Sequence, residues 1–193
     1  MSHDIRTPMN AIMGMTALAS AYIDDPARVA DCLRKISVSS RHLLSLINDI
    51  LDMSKIERGK ITLNRMEMSV PGLLEQLSTI IEPQARAAGL SFCARAGRVR
   101  QERFIGDALR VSQILLNLLS NAVKFTPEGG RVEFFAEELS AESAGRVRYR
   151  FVVRDTGIGM SEEFLASMFD PFSRSREATR VEGTGLGLSI AKG

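Results

Sequence analysis

A long apolar stripe near the start of the chain constrains the fold more than any other feature of the sequence. Between residues 27 and 58, large aliphatic side chains recur at close to a seven-residue period: Val29, Leu33, Ile36, Leu43, Ile47 and Ile50, with Leu44, Leu46 and Leu51 widening the stripe. Another helical segment, from residue 1 to about residue 22, precedes it. Asp25 and Pro26 are the residue types of a helix N-cap and first turn. We therefore predict a helical hairpin.

Two helices alone cannot bury a stripe of that width. Two copies of the hairpin can bury it as a four-helix bundle, so the pattern predicts a homodimer formed through the hairpin. The alternative is a hairpin that packs against the C-terminal part of its own chain.

The pattern changes after the charged segment from Ser54 to Lys60, which we interpret as a boundary between a domain of residues 1–58 and a domain of residues 59–193. The second domain alternates strands and helices. The predicted elements are a strand at 61–63, a helix at 71–88 ended by Gly89, a strand at 90–94, a helix at 107–125, and strands at 131–137 and 147–154. We expect an α+β fold, a sandwich in which helices cover one face of a mixed sheet.

Composition excludes several classes of function. The net charge of +2 comes from 25 basic and 23 acidic residues in mixed order, so no nucleic-acid partner is expected. The two cysteines, Cys32 and Cys93, lack the spacing of a zinc site or a disulfide framework. No run reaches the roughly 20 apolar residues needed to cross a bilayer. We expect no membrane contact by this chain and a cytoplasmic location, although a longer parent protein could carry a membrane anchor.

The first candidate site is a histidine beside a carboxylate, His3 and Asp4, on the predicted first helix. A neighbouring carboxylate can fix the tautomer of an imidazole and raise its basicity, which suits a nucleophile or a proton shuttle. The alternative is a surface histidine with an acidic neighbour by chance.

A second candidate lies on the predicted helix 107–125, where Asn117, Asn121 and Lys124 follow one another at spacings of four and three. Amide oxygens and an ammonium group on one helix face suit a magnesium–phosphate group, because Mg²⁺ prefers oxygen ligands. An ordinary polar helix face would have the same pattern.

Two glycine motifs complete the set of candidates. The first motif directly follows a predicted strand and contains Asp155, Gly157 and Gly159. Its carboxylate could accept a hydrogen bond from the exocyclic amine of adenine. A simple turn is the alternative. Residues 183–187, Gly-Thr-Gly-Leu-Gly, precede a helix and would expose amide groups to a phosphate. Between the motifs, residues 173–182 indicate a loop that places Arg174, Arg176 and Arg180 over a nucleotide, with Phe169–Phe172 packing at its hinge or in the core.

The order of these motifs resembles the bacterial sensor histidine kinases over essentially the whole chain. Residues 3–8 resemble the H-box of that family, residues 117–124 its N-box, residues 155–159 its first glycine box, residues 169–172 its F-box, and residues 183–187 its second glycine box. The segments that normally precede the H-box and follow the second glycine box are missing. We therefore expect a fragment, with the ATP-binding domain incomplete at its C-terminus.

The resemblance implies a role for each motif. His3 would be the phospho-accepting nucleophile, Asp4 its activating carboxylate, and Thr7 a residue that orients water during dephosphorylation of the partner. Asn121 would be the Mg²⁺ ligand and Asp155 the adenine reader. The other residues expected to bind ATP are Asn117, Lys124, Gly157, Gly159, Phe172, Gly183, Thr184, Gly185, Leu186 and Gly187.

The implied activity is ATP-dependent phosphorylation of His3, in an ATP-binding domain of the gyrase and histidine-kinase type. The phosphoryl group would pass to an aspartate on a response-regulator receiver domain. A water-hydrolysing ATPase of the same fold is one alternative, although such enzymes carry a glutamate base where this chain has Asn117, and an amide cannot take a proton from water. A catalytically weak dimerisation scaffold is the other.

Overall fold

The chain begins with the expected helical hairpin. A computed structural model describes residues 2–59, 62–139, 145–173 and 185–192. Helix α1 (Ser2–Ala21) packs along helix α2 (Pro26–Glu57). Asp25 is the N-cap of α2, where its side chain accepts a hydrogen bond of 3.2 Å from the Arg28 amide, and Pro26 occupies the first helical position.

Within the described ranges, the second part of the chain contains two small sheets and four helices. Strands β1 (Met66–Ser69) and β3 (Arg103–Gly106) form an antiparallel pair. Strands β2 (Ser91–Ala96), β4 (Arg131–Leu139) and β5 (Arg148–Asp155) form a mixed sheet in the order β2-β4-β5, with β2 parallel and β5 antiparallel to β4. The helices are α3 (Val70–Ala87), α4 (Ala108–Phe125), α5 (Glu162–Ser167) and α6 (Gly187–Lys192). The predicted α+β class is confirmed.

The core lies between helices α3 and α4 and the mixed sheet. Inward-facing side chains alternate along β4, where Val132, Phe134 and Ala136 are fully buried. Leu77 and Leu119, from α3 and α4 respectively, are buried as completely. Helix α4 therefore has one face buried in the core, and its other face can carry polar groups.

One predicted strand is wrong. Thr62 and Leu63 are not in a strand, and Ile61 lies outside the described residues. The strand begins at Met66, where β3 supplies a pairing partner. The preceding segment is held instead by a side chain, since the Asn64 amide donates a 2.9 Å hydrogen bond to Asp107. Strand β3 and helix α5 were not predicted.

The hairpin exposes a large apolar surface. On α2, the exposed fractions of Leu33, Leu44 and Leu51 are 56%, 59% and 53%. Met9, Met13 and Leu18 are exposed on α1 as well. Another part of α2 contacts α6, and Leu46 is buried. The hairpin thus packs on its own second domain along part of α2, as the alternative to a homodimer predicts. That packing leaves these apolar side chains uncovered.

None of the helices in the described ranges combines the length and apolar character needed to cross a membrane.

Leu119→Ala should lower the free energy of unfolding of the second domain by about 2–5 kcal/mol, because it opens a cavity in the core. Leu109→Ala on the same helix is the matched control: Leu109 is 73% exposed, so the change should stay within about 0.5 kcal/mol. Urea unfolding followed by circular dichroism measures both. Equal losses would contradict the described packing of α4.

Candidate functional site

The polar face of α4 carries the residues predicted to hold a metal and a phosphate. Asn117, Asn121 and Lys124 are half-buried, while Leu115 and Leu119 on the opposite side are buried in the core. The Lys124 ammonium lies 5.1 Å from the centre of the Phe125 ring, which keeps it at the C-terminal end of the helix. The predicted alignment of the two carboxamides is therefore compatible with the packing of α4.

The loop that contains the first glycine motif, residues 155–159, lies against the C-terminal end of α4. We call it the first glycine loop. Strand β5 ends at Asp155, whose Oδ1 accepts a 2.8 Å hydrogen bond from the Gly157 amide. The Ile158 amide donates a 3.2 Å hydrogen bond to the Phe125 carbonyl, the last residue of α4. A Cβ atom at Gly157 would lie only 2.6 Å from that carbonyl oxygen, so the close approach requires glycine. The loop brings the Asp155 carboxylate to the same end of the helix as Lys124.

A threonine that the sequence reasoning missed fixes this loop from the other side. The Thr156 hydroxyl accepts a 2.9 Å hydrogen bond from the Arg131 amide, and the Thr156 amide donates to the Arg131 carbonyl at 3.1 Å. A hydroxyl residue directly after a strand is a recognised turn signal, and it could have suggested this role. Because both its backbone and its side chain are bonded to the start of β4, Thr156 holds the loop in place directly after Asp155.

The second glycine motif approaches α4 through Asn117. The Asn117 amide Nδ2 donates a 3.3 Å hydrogen bond to the carbonyl of Gly187, the first residue of α6. Leu186, just before it, is 1% exposed and anchors the motif in the interior. Asn117 is therefore placed to position the start of α6, and its donor group is directed to protein rather than to a ligand. Gly183, Thr184 and the three loop arginines, Arg174, Arg176 and Arg180, lie outside the described residues.

Phe172 and Gly185 meet directly. The Phe172 amide donates a 3.0 Å hydrogen bond to the Gly185 carbonyl, and both residues have positive φ angles, 64° and 69°. A Cβ atom at Gly185 would lie 2.8 Å from the Phe172 carbonyl carbon. The structure thus joins the aromatic motif to the second glycine motif, although the Phe172 side chain itself is 44% exposed.

The candidate nucleophile lies on the other domain. The backbone of His3 and Asp4 belongs to α1, and the positions of their side chains lie outside what the structure describes. Thr7 is exposed one turn further along the same helix. Among the described helices, α1 packs mainly on α2. The predicted proximity of His3 to a bound phosphate remains a prediction.

A polar cluster connects α2 to the polar face of α4. Asp52 of α2 accepts a hydrogen bond of 2.8 Å from Gln113 and forms an ion pair of 2.9 Å with Arg110. Burial alone would raise the pKa of the Asp52 carboxyl, but the hydrogen bonds from Gln113 and Arg110 and the positive charge of Arg110 hold that pKa below its usual range. We call Asp52, Arg110 and Gln113 the junction cluster. No local sequence pattern predicts it, because its two halves are 61 residues apart.

The residues present fit a magnesium–nucleotide group. Carboxamide oxygens are ligands that Mg²⁺ accepts, and Gly157 and Gly185 let the two loops pack against neighbouring backbone where a Cβ atom would collide. No group of three or more His, Cys, Asp or Glu side chains in the described ranges could hold a metal ion. A metal here would therefore need phosphate oxygens or water in addition to Asn121. The arrangement suits binding of a nucleoside triphosphate.

Two family models match the chain. The His Kinase A (phospho-acceptor) domain matches residues 1–59. The Histidine kinase-, DNA gyrase B-, and HSP90-like ATPase family matches residues 106–193.

Individual proteins match along the whole chain. The sensory/regulatory protein RpfC of Xanthomonas campestris pv. campestris is 40% identical over 196 residues, covering 100% of this chain and 27% of RpfC. The sensor protein GacS of Pseudomonas syringae pv. syringae is 42% identical over 194 residues, covering 100% of this chain and 21% of GacS. The crystal structure of full-length ShkA in complex with AMPPNP superposes with a TM-score of 0.71 at 34% identity, covering 99% of this chain and 38% of ShkA. This chain thus spans about a quarter of the length of these two curated relatives.

Gly157→Ala should weaken binding of Mg·ATP at least tenfold, about 1.4 kcal/mol, because the added Cβ would displace the loop from the Phe125 carbonyl and turn the Asp155 carboxylate. Gly14→Ala on α1 is the control, since the Cβ that it adds meets no atom within 4 Å beyond its chain neighbours and its own helix backbone. Isothermal titration calorimetry measures both affinities. Unchanged affinity for Gly157→Ala would show that this loop does not contact the nucleotide.

Proposed function

Because this chain belongs to the histidine kinases of two-component signalling, we propose that it is the core of an ATP-dependent protein-histidine kinase. Residues 1–58 would form the dimerisation and phospho-acceptor domain, and residues 59–193 the catalytic ATP-binding domain. One observation carries the proposal: helix α4, which carries the two carboxamides, is hydrogen-bonded to the first glycine loop at Phe125 and to Gly187 of the second glycine motif at Asn117.

In the proposed site, the base of ATP lies against the first glycine loop. The Asp155 carboxylate accepts a hydrogen bond from the adenine amine with Oδ2, because Oδ1 already accepts from the Gly157 amide. Gly157 lets the loop pack against the Phe125 carbonyl, and Gly159, where an added Cβ would meet no atom within 4 Å, leaves room for the ring to approach the backbone. Discrimination of adenine from guanine follows, since guanine presents a carbonyl where adenine presents the amine, and a carboxylate repels it.

The phosphates lie further along α4. Asn121 holds Mg²⁺ through its amide oxygen, and the ion when bound neutralises negative charge on the phosphates. Lys124 adds a positive charge, and the backbone amides of Gly185, Leu186 and Gly187, together with Gly183 and Thr184, donate to phosphate oxygens. Phe172 closes the site at its contact with Gly185. Positioning and charge neutralisation supply most of the rate acceleration in phosphoryl transfer of this kind.

The acceptor of the phosphoryl group is His3. One ring nitrogen attacks the γ-phosphorus in line while the bond to the bridging oxygen breaks and ADP leaves. Asp4 accepts a hydrogen bond from the other ring nitrogen and stabilises the positive charge that develops on the ring. A carboxylate on a response-regulator receiver domain then attacks the phosphorus and regenerates His3. Thr7, one turn away, orients water for dephosphorylation of the regulator.

The protein acts as a homodimer in this proposal. The exposed leucines of α2 and the exposed methionines of α1 supply the apolar surface that a second hairpin would cover. The core functions in the cytoplasm, with no nucleic acid or lipid among its partners.

The carboxamide of Asn117 argues against the alternative of a water-hydrolysing ATPase. That chemistry needs a group at this position that takes a proton from water, and an amide cannot do so. Asn117 instead donates to the Gly187 carbonyl, which is a positioning role.

His3→Gln should abolish autophosphorylation and leave the affinity for Mg·ATP within twofold of the wild type, because acceptor and nucleotide sites lie on different domains. The measurements are incorporation of acid-labile phosphate, detected by mass spectrometry, and calorimetric titration. His42→Gln, which removes the other histidine of the chain, is the matched control and should retain labelling. Full labelling of the His3 variant would show that His3 is not the acceptor.

Asn121→Ala and Asp155→Ala should each weaken Mg·ATP binding at least tenfold, about 1.4 kcal/mol, through loss of the metal ligand and of adenine recognition respectively. Replacing Mg²⁺ by EDTA should remove most of the difference between Asn121→Ala and the wild type but none of the effect of Asp155→Ala. Asn48→Ala, the same substitution on the exposed face of α2, is the control. If titration gives wild-type affinity for both site variants, the nucleotide binds elsewhere.

A further inference from the structure

The mixed sheet has a second face, which points away from helices α3 and α4. Along β4, Val132, Phe134 and Ala136 are buried under these helices, so the residues between them point to the other side. The register of the sheet places alternate residues of β2 and β5 beside them. We call the outward-pointing side chains within 91–95, 131–139 and 148–154 the outer face.

Basic side chains outnumber acidic ones on the outer face. Its basic residues are Arg95 on β2, Arg131 on β4, and Arg148, Arg150 and Arg154 on β5. Its acidic residues are Glu133 and Glu137, both on β4. No lysine occupies an outward position of these three described strands, so guanidinium groups alone carry the excess positive charge.

The carboxylates of the outer face lie close to the sheet, whereas the guanidinium groups project from it. The side chains of Glu133 and Glu137 are 22% and 25% exposed, and those of Arg95, Arg131 and Arg150 are 58–63% exposed. Arg95 and Arg131 share the Glu133 carboxylate at 3.5 Å and 3.7 Å, and the Arg150 Nε donates to Glu137 at 2.6 Å. A guanidinium has five N–H donors, so these contacts orient the arginines and leave donors for another molecule.

An aromatic ring lies at the centre of the outer face. Phe135 is flanked by Arg95 on β2 and by Val152 on β5. A Cβ atom at Gly97 would lie 2.5 Å from the tip of the Phe135 ring, so the ring packs over this glycine and is held in place. Protein interfaces are enriched in aromatic residues and arginine and depleted in lysine. The outer face therefore has the composition of a protein-binding surface, whereas a membrane surface would be bound equally well through lysines.

The size of the outer face limits the partner. Strand β4 has nine residues, which is about 30 Å, and three strands are roughly 10–15 Å wide, so the face covers about 300–450 Å². A stable interface between two folded proteins buries about 800 Å² on each partner. The outer face thus suits a short segment better than a whole folded domain.

We propose that the outer face is a docking surface for a short, carboxylate-rich protein segment. The arginines bind its acidic side chains, and Phe135 contacts an apolar one; clusters of arginine recognise acidic motifs in this way in other proteins. Because the arginines are already oriented by Glu133 and Glu137, less side-chain entropy is lost on binding. The nucleotide residues of α4 lie on the opposite side of the sheet, so this surface is independent of the proposed kinase chemistry.

A peptide probe tests the docking surface on the whole chain. The probe is a fluorescein-labelled peptide of four Glu-Glu-Leu repeats, and its binding is followed by fluorescence anisotropy at low ionic strength, where exposed charges are screened least. The double variant Arg95→Gln, Arg150→Gln should bind the peptide at least fivefold more weakly than the wild type. The matched control is Arg34→Gln, Arg86→Gln, which removes the same charge from two exposed arginines that also pair with carboxylates of their own helices. That control should stay within twofold of the wild type.

Two further measurements separate docking from other causes. Thermal unfolding followed by circular dichroism should be the same for both double variants and the wild type, since exposed ion pairs contribute little to stability. A peptide with glutamine in place of every glutamate should not bind, and vesicles of phosphatidylserine and phosphatidylcholine should leave the acidic peptide bound.

Three results would overturn the docking surface. They are no binding of the acidic peptide by the wild type, equal loss of affinity in the two double variants, and displacement of the peptide by the vesicles, which would identify a membrane as the occupant. None of these results depends on ATP or on His3, so failure of the kinase proposal and failure of the docking proposal are distinguishable.

Discussion

Burial of one face of α4 is the constraint on which the rest of the structure depends. Leu115, Leu119 and Ala122 are at most 5% exposed, packed between α3 and the mixed sheet. A helix with a fully buried face cannot rotate without opening the core, so its other face has a fixed direction. The positions of Asn117 and Asn121 follow from aliphatic packing on the far side of the same helix.

The elements around α4 each take their position from it. At the C-terminal end of α4, the Phe125 carbonyl accepts a hydrogen bond from the first glycine loop. In the middle of the helix, Asn117 donates a hydrogen bond to the start of α6. At its N-terminal end, the Asp107 side chain caps the helix and also holds Asn64, while Arg110 reaches α2. Core, site and domain junction are therefore physically coupled through one rigid element, and a shift of α4 would be felt at all three.

The sequence predicts those parts of the structure whose signal is local. Helix α4 has an apolar period and an N-cap, and β4 alternates apart from Phe135, so both are found close to their predicted bounds. Strand β3 was missed because four residues carry no periodicity and its pairing with β1 is a long-range choice. The motif residues Asn117 and Asp155 could be recognised from spacing, but the direction of the Asn117 donor group and the junction cluster depend on tertiary contacts that spacing does not encode.

Helix α2 runs for 32 residues without interruption. Because a continuous α-helix is stiff in torsion, turning it at any point along its length also turns Asp52. With side-chain ends at a radius of about 5–6 Å, a rotation of roughly 20° would move the Asp52 carboxylate by about 2 Å. Hydrogen bonds of 2.8 Å do not survive a displacement of that size. A small rotation of the hairpin helix would thus break the contacts of Asp52 with the second domain, and no ligand is needed at the domain junction for this to happen.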